Sequence, residues 1–132
     1  WYYDAIVSLS EKGILNGYKD GTFRPNGQIT RAEFATMLSQ FIYGNSTSDS
    51  DGYSDVTPQN WFYEPVMKLV GNGILTGYED QTMHPNDAVT RAEAVAILNR
   101  MVGKTFSETM QNQFLDIDGH WAYEDILAAC SN

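Results

Sequence analysis

Cysteine, basic charge and long apolar runs are what this 132-residue chain has least of. A single cysteine, Cys130, excludes an internal disulfide and a thiol metal cluster, and its neighbours make it an expected small residue of a helical core. Only 8 Lys and Arg stand against 17 Asp and Glu, giving a net charge of −9. With no basic run there is no footprint for nucleic acid or for an anionic membrane surface. The longest apolar stretches, such as Phe41-Ile42-Tyr43 and Ile74-Leu75, fall far short of the roughly 20 residues a membrane span needs. His84 and His120 stand at no ligand or triad spacing to each other or to Cys130, so they read as a loop residue and a helix-start residue. Catalysis, a metal and a cofactor are therefore not expected. The run Asp49-Ser50-Asp51-Gly52-Tyr53-Ser54-Asp55 resembles a calcium loop, but its Gly is misplaced and no Glu closes the twelfth position, so a solvated linker is expected. A start on Trp1, without an apolar leader, gives the expectation that the true start was removed or lies upstream.

What the chain does have is enough apolar residues for one core, 42% of the total with 13% aromatic, and an internal repeat. Trp1, Trp61 and Trp121 are spaced by 60 residues, and Tyr3, Tyr63 and Tyr123 keep the same step. Residues 1 to 43 laid on 61 to 103 without a gap give 17 identities. The expected organisation is copy one over 1–43, a polar linker over 44–52, copy two over 53–102, a second linker over 103–113, and the start of copy three over 114–132, all in one domain.

Each copy follows one local grammar. A first helix opens near the Trp with apolar residues at i, i+4 and i+7: Tyr2, Ile6 and Leu9; Phe62, Val66 and Leu69; Ala122, Ile126 and Ala129. Pro65 is tolerated because the first helical turn has no partners for its N–H groups. Gly13 and Gly73 stop the helix, and an irregular loop follows. A second helix opens at Thr30 or Thr90, where Thr-x-x-Glu with Glu33 or Glu93 forms a capping box. Phe34, Met37, Leu38 and Phe41, matched by Ala94, Ile97, Leu98 and Met101, are the expected inward stripe. The fold class is all-α, with the three first helices expected to pack as a central three-helix bundle because each is too short to stand alone.

One position resists a purely structural account. Arg31 and Arg91 fall at the first residue of the second helix, where the helix dipole is positive and a cation is unfavourable by roughly 0.3 to 1 kcal/mol. A guanidinium beside free N–H groups suits a carboxylate or phosphate. The alternative is an ion pair with Glu33 or with a loop acid such as Asp20.

The series from Gly13 to Asn26, followed by Ile29-Thr30-Arg31-Ala32-Glu33-Phe34, resembles the S-layer homology repeat. Its second version runs from Gly73 to Asp80, then His84-Pro85-Asn86 and Val89-Thr90-Arg91-Ala92-Glu93. Tyr53-Ser54-Asp55-Val56 with Asn60-Trp61, and Phe114-Leu115-Asp116-Ile117 with His120-Trp121-Ala122, are similar to the family's repeat start. The resemblance implies a non-catalytic module outside the bacterial cell, at the wall or S-layer. It implies a pseudo-threefold helical arrangement that binds an acidic, pyruvylated secondary cell-wall polysaccharide in grooves between repeats. Arg31 and Arg91, with Thr30 and Thr90, would meet the ligand; Gly17, Tyr18 and Asp20, and likewise Gly77, Tyr78 and Asp80, would wall the groove. In copy two Gln81 replaces Gly21 and His84 replaces Arg24, so that loop is expected to be rebuilt or strained. Copy three ends before a Thr-Arg-Ala-Glu segment, so at most two arginine-bearing sites are expected, and its incomplete state suits contact with another chain as a second possibility.

Overall fold

The computed structural model describes residues 1–43 and 52–130. These form five helices in chain order: α1 (Tyr3–Glu11), α2 (Arg31–Ser39), α3 (Tyr63–Gly71), α4 (Arg91–Val102) and α5 (Tyr123–Cys130). The fold is all-α; among the described residues the only strand-like contact is an isolated antiparallel bridge between Thr30 and Ala88. None of the helices is long and apolar enough to cross a membrane. The linker expected at 44–52 lies outside the described residues except for Gly52, as do Asp49 to Asp51 of the acidic run; the rest of that run departs from the expected solvated linker, since Tyr53 and Asp55 are half-buried and bonded to the loop of copy two.

The local signals work as the chemistry requires. Thr30 accepts from the Glu33 amide at 3.2 Å while Glu33 reaches back to the Thr30 N–H at 2.8 Å, and Thr90 with Glu93 repeats both distances. Gly13 and Gly73 end α1 and α3 at φ +71° and +68°, a conformation that costs glycine little. Each stop returns the next amide to the helix: Ile14 to the Leu9 carbonyl and Ile74 to the Leu69 carbonyl, both at 2.9 Å.

Helix pairing departs from the expected central bundle. α2 packs on α3 and α4 packs on α5, whereas α1, α3 and α5 make no helix contact with one another. The second helix of each copy thus covers the first helix of the following copy. The packing unit is shifted by half a repeat relative to the sequence unit. α1 has no such cover and buries no residue, while its counterpart α3 buries Val66, Met67 and Leu69. Each aliphatic side chain buried in α3 is worth about 1.5 to 3 kcal/mol. The core is accordingly built from copy two, with Val56, Phe62, Ile74, Leu75 and Met83, closed by Ala32, Ala35 and Leu38 of α2.

The inward face of the second helices also differs from the expected stripe. α2 buries Arg31, Ala32, Ala35, Leu38 and Ser39, and α4 buries Ala96, Ile97 and Asn99. Phe41 and Leu98, expected inside, are 44% and 42% exposed. Small side chains let the paired helices approach, and the bulky ones move to the flanks. The buried polar groups on these faces are satisfied: Asn99 donates to the Asp125 carbonyl at 2.6 Å, and Ser39 to the Thr36 carbonyl at 2.8 Å. In α5 the buried residues are Leu127 and Ala128, with Ala129 exposed. Cys130, expected in the core, is exposed at the last position of that helix.

Candidate functional site

The loops that follow α1 and α3 share one frame. Tyr18 donates its amide to the Thr22 carbonyl at 2.7 Å, and Tyr78 to the Thr82 carbonyl at 2.8 Å. Asp20 and Asp80 tighten these turns by accepting from the amide and hydroxyl of Thr22 and Thr82. The Thr22 hydroxyl first, then Arg24 and the Thr22 amide, hold the Asp20 carboxyl well below its ordinary range; Asp80 is lowered chiefly by the Thr82 hydroxyl. The tyrosines then point at the capping boxes. Tyr18 donates its hydroxyl to Glu33 at 3.0 Å, and Tyr78 does the same to Glu93. The two glutamates are therefore more than caps. Burial opposes their ionisation, but the tyrosine hydroxyl and the Thr amide and hydroxyl outweigh it, and both carboxyls sit below their ordinary value.

Beyond this frame the copies diverge: among the described residues, only copy two receives an arginine from another copy. Arg31, at the first residue of α2, is 6% exposed and runs into the loop of copy two. Its Nε donates to the Met83 carbonyl and its Nη1 to Glu93, both at 2.9 Å, and its Nη2 reaches the Thr76 carbonyl at 3.4 Å. The guanidinium carbon lies 5.0 Å from the centre of the Tyr78 ring. Copy two also satisfies the start of α2: the Arg31 amide donates to the Asp87 carbonyl and the Ala32 amide to the Pro85 carbonyl, both at 2.9 Å. A cation at this helix terminus is thus compensated by carbonyl oxygens and by Glu93, and its ion-pair partner is neither Glu33 nor Asp20.

Arg91 holds the same place on α4 but is exposed, and among the described residues no counterpart of the Arg31 bonds is formed there. On the loop of copy one, Arg24 takes the place over Tyr18, 4.1 Å from the ring centre, and pairs with Asp20 at 2.8 Å. In copy two His84 stands there instead, edge-on to Tyr78, with its ring 3.0 Å from Asp87 and 3.9 Å from Asp80. Copy two is braced further by its opening segment. Tyr53 accepts the Gly77 amide at 3.1 Å, and Asp55 accepts the Met83 and His84 amides at 2.8 Å. A Cβ on Gly77 would collide with the Tyr53 ring and lie 2.5 Å from the Thr82 carbonyl oxygen, so that position favours glycine strongly.

The outcome is one groove of about 770 Å³ to which three copies contribute. Copy one supplies Arg31; copy two supplies Thr76, Gly77, Tyr78, Asp80, Thr90 and Glu93; copy three supplies Trp121, which is 63% exposed. Of the residues proposed from sequence, Arg31, Gly77, Tyr78, Asp80, Thr90 and Glu93 converge here. Gly17, Tyr18, Asp20, Thr30 and Glu33 surround copy one, and Arg91 stands apart. Sequence reasoning missed Arg100 and Trp121 as groove residues, although the 60-residue Trp spacing had already marked Trp121.

The S-layer homology domain model matches residues 1–35 and 52–95, more than half of the chain. The chain belongs to the S-layer homology family. The cellulosome-anchoring protein of Acetivibrio thermocellus is 35% identical over 133 aligned residues, covering 96% of this chain and 29% of that protein. The surface-layer 125 kDa protein of Lysinibacillus sphaericus is 34% identical over 72% of the chain and 8% of its own length. The endo-1,4-beta-xylanase A of Thermoanaerobacterium saccharolyticum is 32% identical over 70% of the chain and 8% of its own length. The chain thus spans less than a third of each of these relatives. As an S-layer homology module it is a cell-surface anchoring unit, placed at the bacterial cell wall or S-layer. The first Thr-Arg-Ala-Glu segment joins copy one to copy two: Arg31 enters the following loop, while Thr30 and Glu33 frame their own.

Proposed function

We infer that this module is a non-catalytic anchor that binds an acidic, pyruvylated secondary cell-wall polysaccharide in the groove over copy two. The observation that carries the reading is the convergence of two guanidinium groups, a tyrosine and an exposed tryptophan on one cleft in a chain of net charge −9. An aromatic face suits the C–H face of a sugar ring, and fixed cations suit its carboxylate. Arg31 organises the cleft by tying the two copies together. Arg91 and the Tyr18 loop carry the same residue types, but neither takes part in the groove over copy two. The histidines are occupied structurally, His84 in the loop and His120 as acceptor of the Ala122 amide at 3.1 Å at the start of α5.

Co-sedimentation with purified wall sacculi tests the proposal. The chain should pellet with intact sacculi and remain in solution once the ketal-bearing polymer is chemically removed; equal binding to both would refute polysaccharide recognition. A second reading, association with another protein chain, is supported by α1, which buries nothing and carries Trp1 fully exposed. Sedimentation velocity separates the two, because self-association predicts a mass that rises with concentration in the absence of sacculi.

A further inference from the structure

We propose that Arg100, rather than Arg31, is the residue that receives the carboxylate of the ligand; this deepens the anchoring proposal and rests on it. Each of the three nitrogens of Arg31 already donates within the protein, and the side chain is almost wholly buried. Arg100 is exposed and lines the same groove. Its one described partner is the Thr76 hydroxyl, 3.3 Å from Nη1, and no carboxylate among the described residues lies within 4 Å of it.

The placement follows from the helix. Glu93, Ala96, Ile97 and Arg100 occupy i, i+3, i+4 and i+7 of α4 and share the groove-facing stripe. Arg100 is in the last turn, where the carbonyl end of the helix favours a cation without an acidic partner. Thr76 stands between the two arginines, giving its carbonyl to Arg31 and its hydroxyl to Arg100. The groove is lined by three acids, Glu79, Asp80 and Glu93. Glu93 is paired with Arg31 and Asp80 accepts from Thr82, whereas Arg100 pairs with none of the three, so its end of the groove is where an anion meets unpaired donors. Copy one carries Gln40 at the matching position, so the two Tyr loops differ in the charge offered to a ligand. The ligand class is a sugar bearing a carboxylate that a guanidinium can hold through two N–H groups.

The test uses the whole chain with purified wall sacculi, comparing wild type with Arg100→Gln and Arg100→Lys. Arg100→Gln should weaken binding by about tenfold or more and flatten its salt dependence, with the melting temperature unchanged. Arg100→Lys should keep the salt dependence but recover only part of the affinity, since an ammonium lacks the planar fork. Wild-type affinity and salt response in Arg100→Gln would overturn the inference while leaving the anchoring proposal standing, and lost binding with a lowered melting temperature would overturn it as well. Failure of the wild type itself to bind sacculi would instead remove the anchoring proposal and this inference with it.

Discussion

Copies one and two share Thr-Arg-Ala-Glu, the Tyr loop and the Gly stop, yet they occupy opposite ends of the packing scale. Copy two has α2 laid over its first helix, Arg31 driven into its loop, and Tyr53 and Asp55 bracing that loop from before its Trp. Copy one has the same internal bonds, such as Tyr18 to Glu33, but no contribution from a preceding copy, and its first helix buries nothing. The lesson is that a repeat of this type encodes its local turns and caps by itself, while its core and its groove are made by neighbours.

The sharpest way to test this contrast is to change the same residue in both copies. Arg31→Ala should cost about 3 to 5 kcal/mol in a denaturant melt, because it leaves the half-buried Glu93 without its cation and the buried Met83 carbonyl without its donor. Arg91→Ala should stay within about 0.5 kcal/mol of wild type. Equal losses would mean that the two arginines do the same work.

The glutamates give a smaller contrast. Glu93→Gln should lower stability at neutral pH by about 1.5 to 3 kcal/mol, since it gives up a hydrogen-bonded charge pair. Glu33→Gln should cost less, lacking an arginine from another copy. Acid sharpens the comparison. Both carboxyls lie below their ordinary value of 4.5, so their contribution is present above that pH and is lost as pH falls through the lower folded values. Melts recorded from pH 6 downwards should show a decline that begins below about 4.5, shallower in either Gln variant.

The smallest effect concerns the turns. Gly21 and Gln81 occupy the same position with φ +79° and +61°, a region that strains any residue with a Cβ. Gln81→Gly should raise stability by up to about 1 kcal/mol, and Gly21→Ala should lower it by about as much. Thermal melts of the two variants decide the sign.

The parts legible in the sequence were those encoded within a few residues. Thr30 with Glu33, Gly13 before Ile14, and Pro65 in a first turn each act on backbone groups close by, so a pattern of residues specifies them. Helix partners were not legible, because equal apolar stripes on three first helices suggest that they meet, and nothing local says that α2 covers α3. The buried face of α2 escaped for a related reason. Ala32, Ala35 and Ser39 carry little apolar signal, while Phe41 carries much and lies outside. Arg100 was hidden because attention to identical positions passes over residues that differ, and at that position copy one has Gln40.

The central claim is that ligand is bound in the groove completed by three copies, and the three tryptophans report on it directly. Fluorine NMR of the whole chain labelled with fluorotryptophan gives one signal each for Trp1, Trp61 and Trp121. On titration with solubilised ketal-bearing wall polymer, the Trp121 signal should shift and saturate while those of Trp1 and Trp61 stay in place. A shift confined to Trp1 or Trp61, or binding that leaves Trp121 unmoved, would contradict the account.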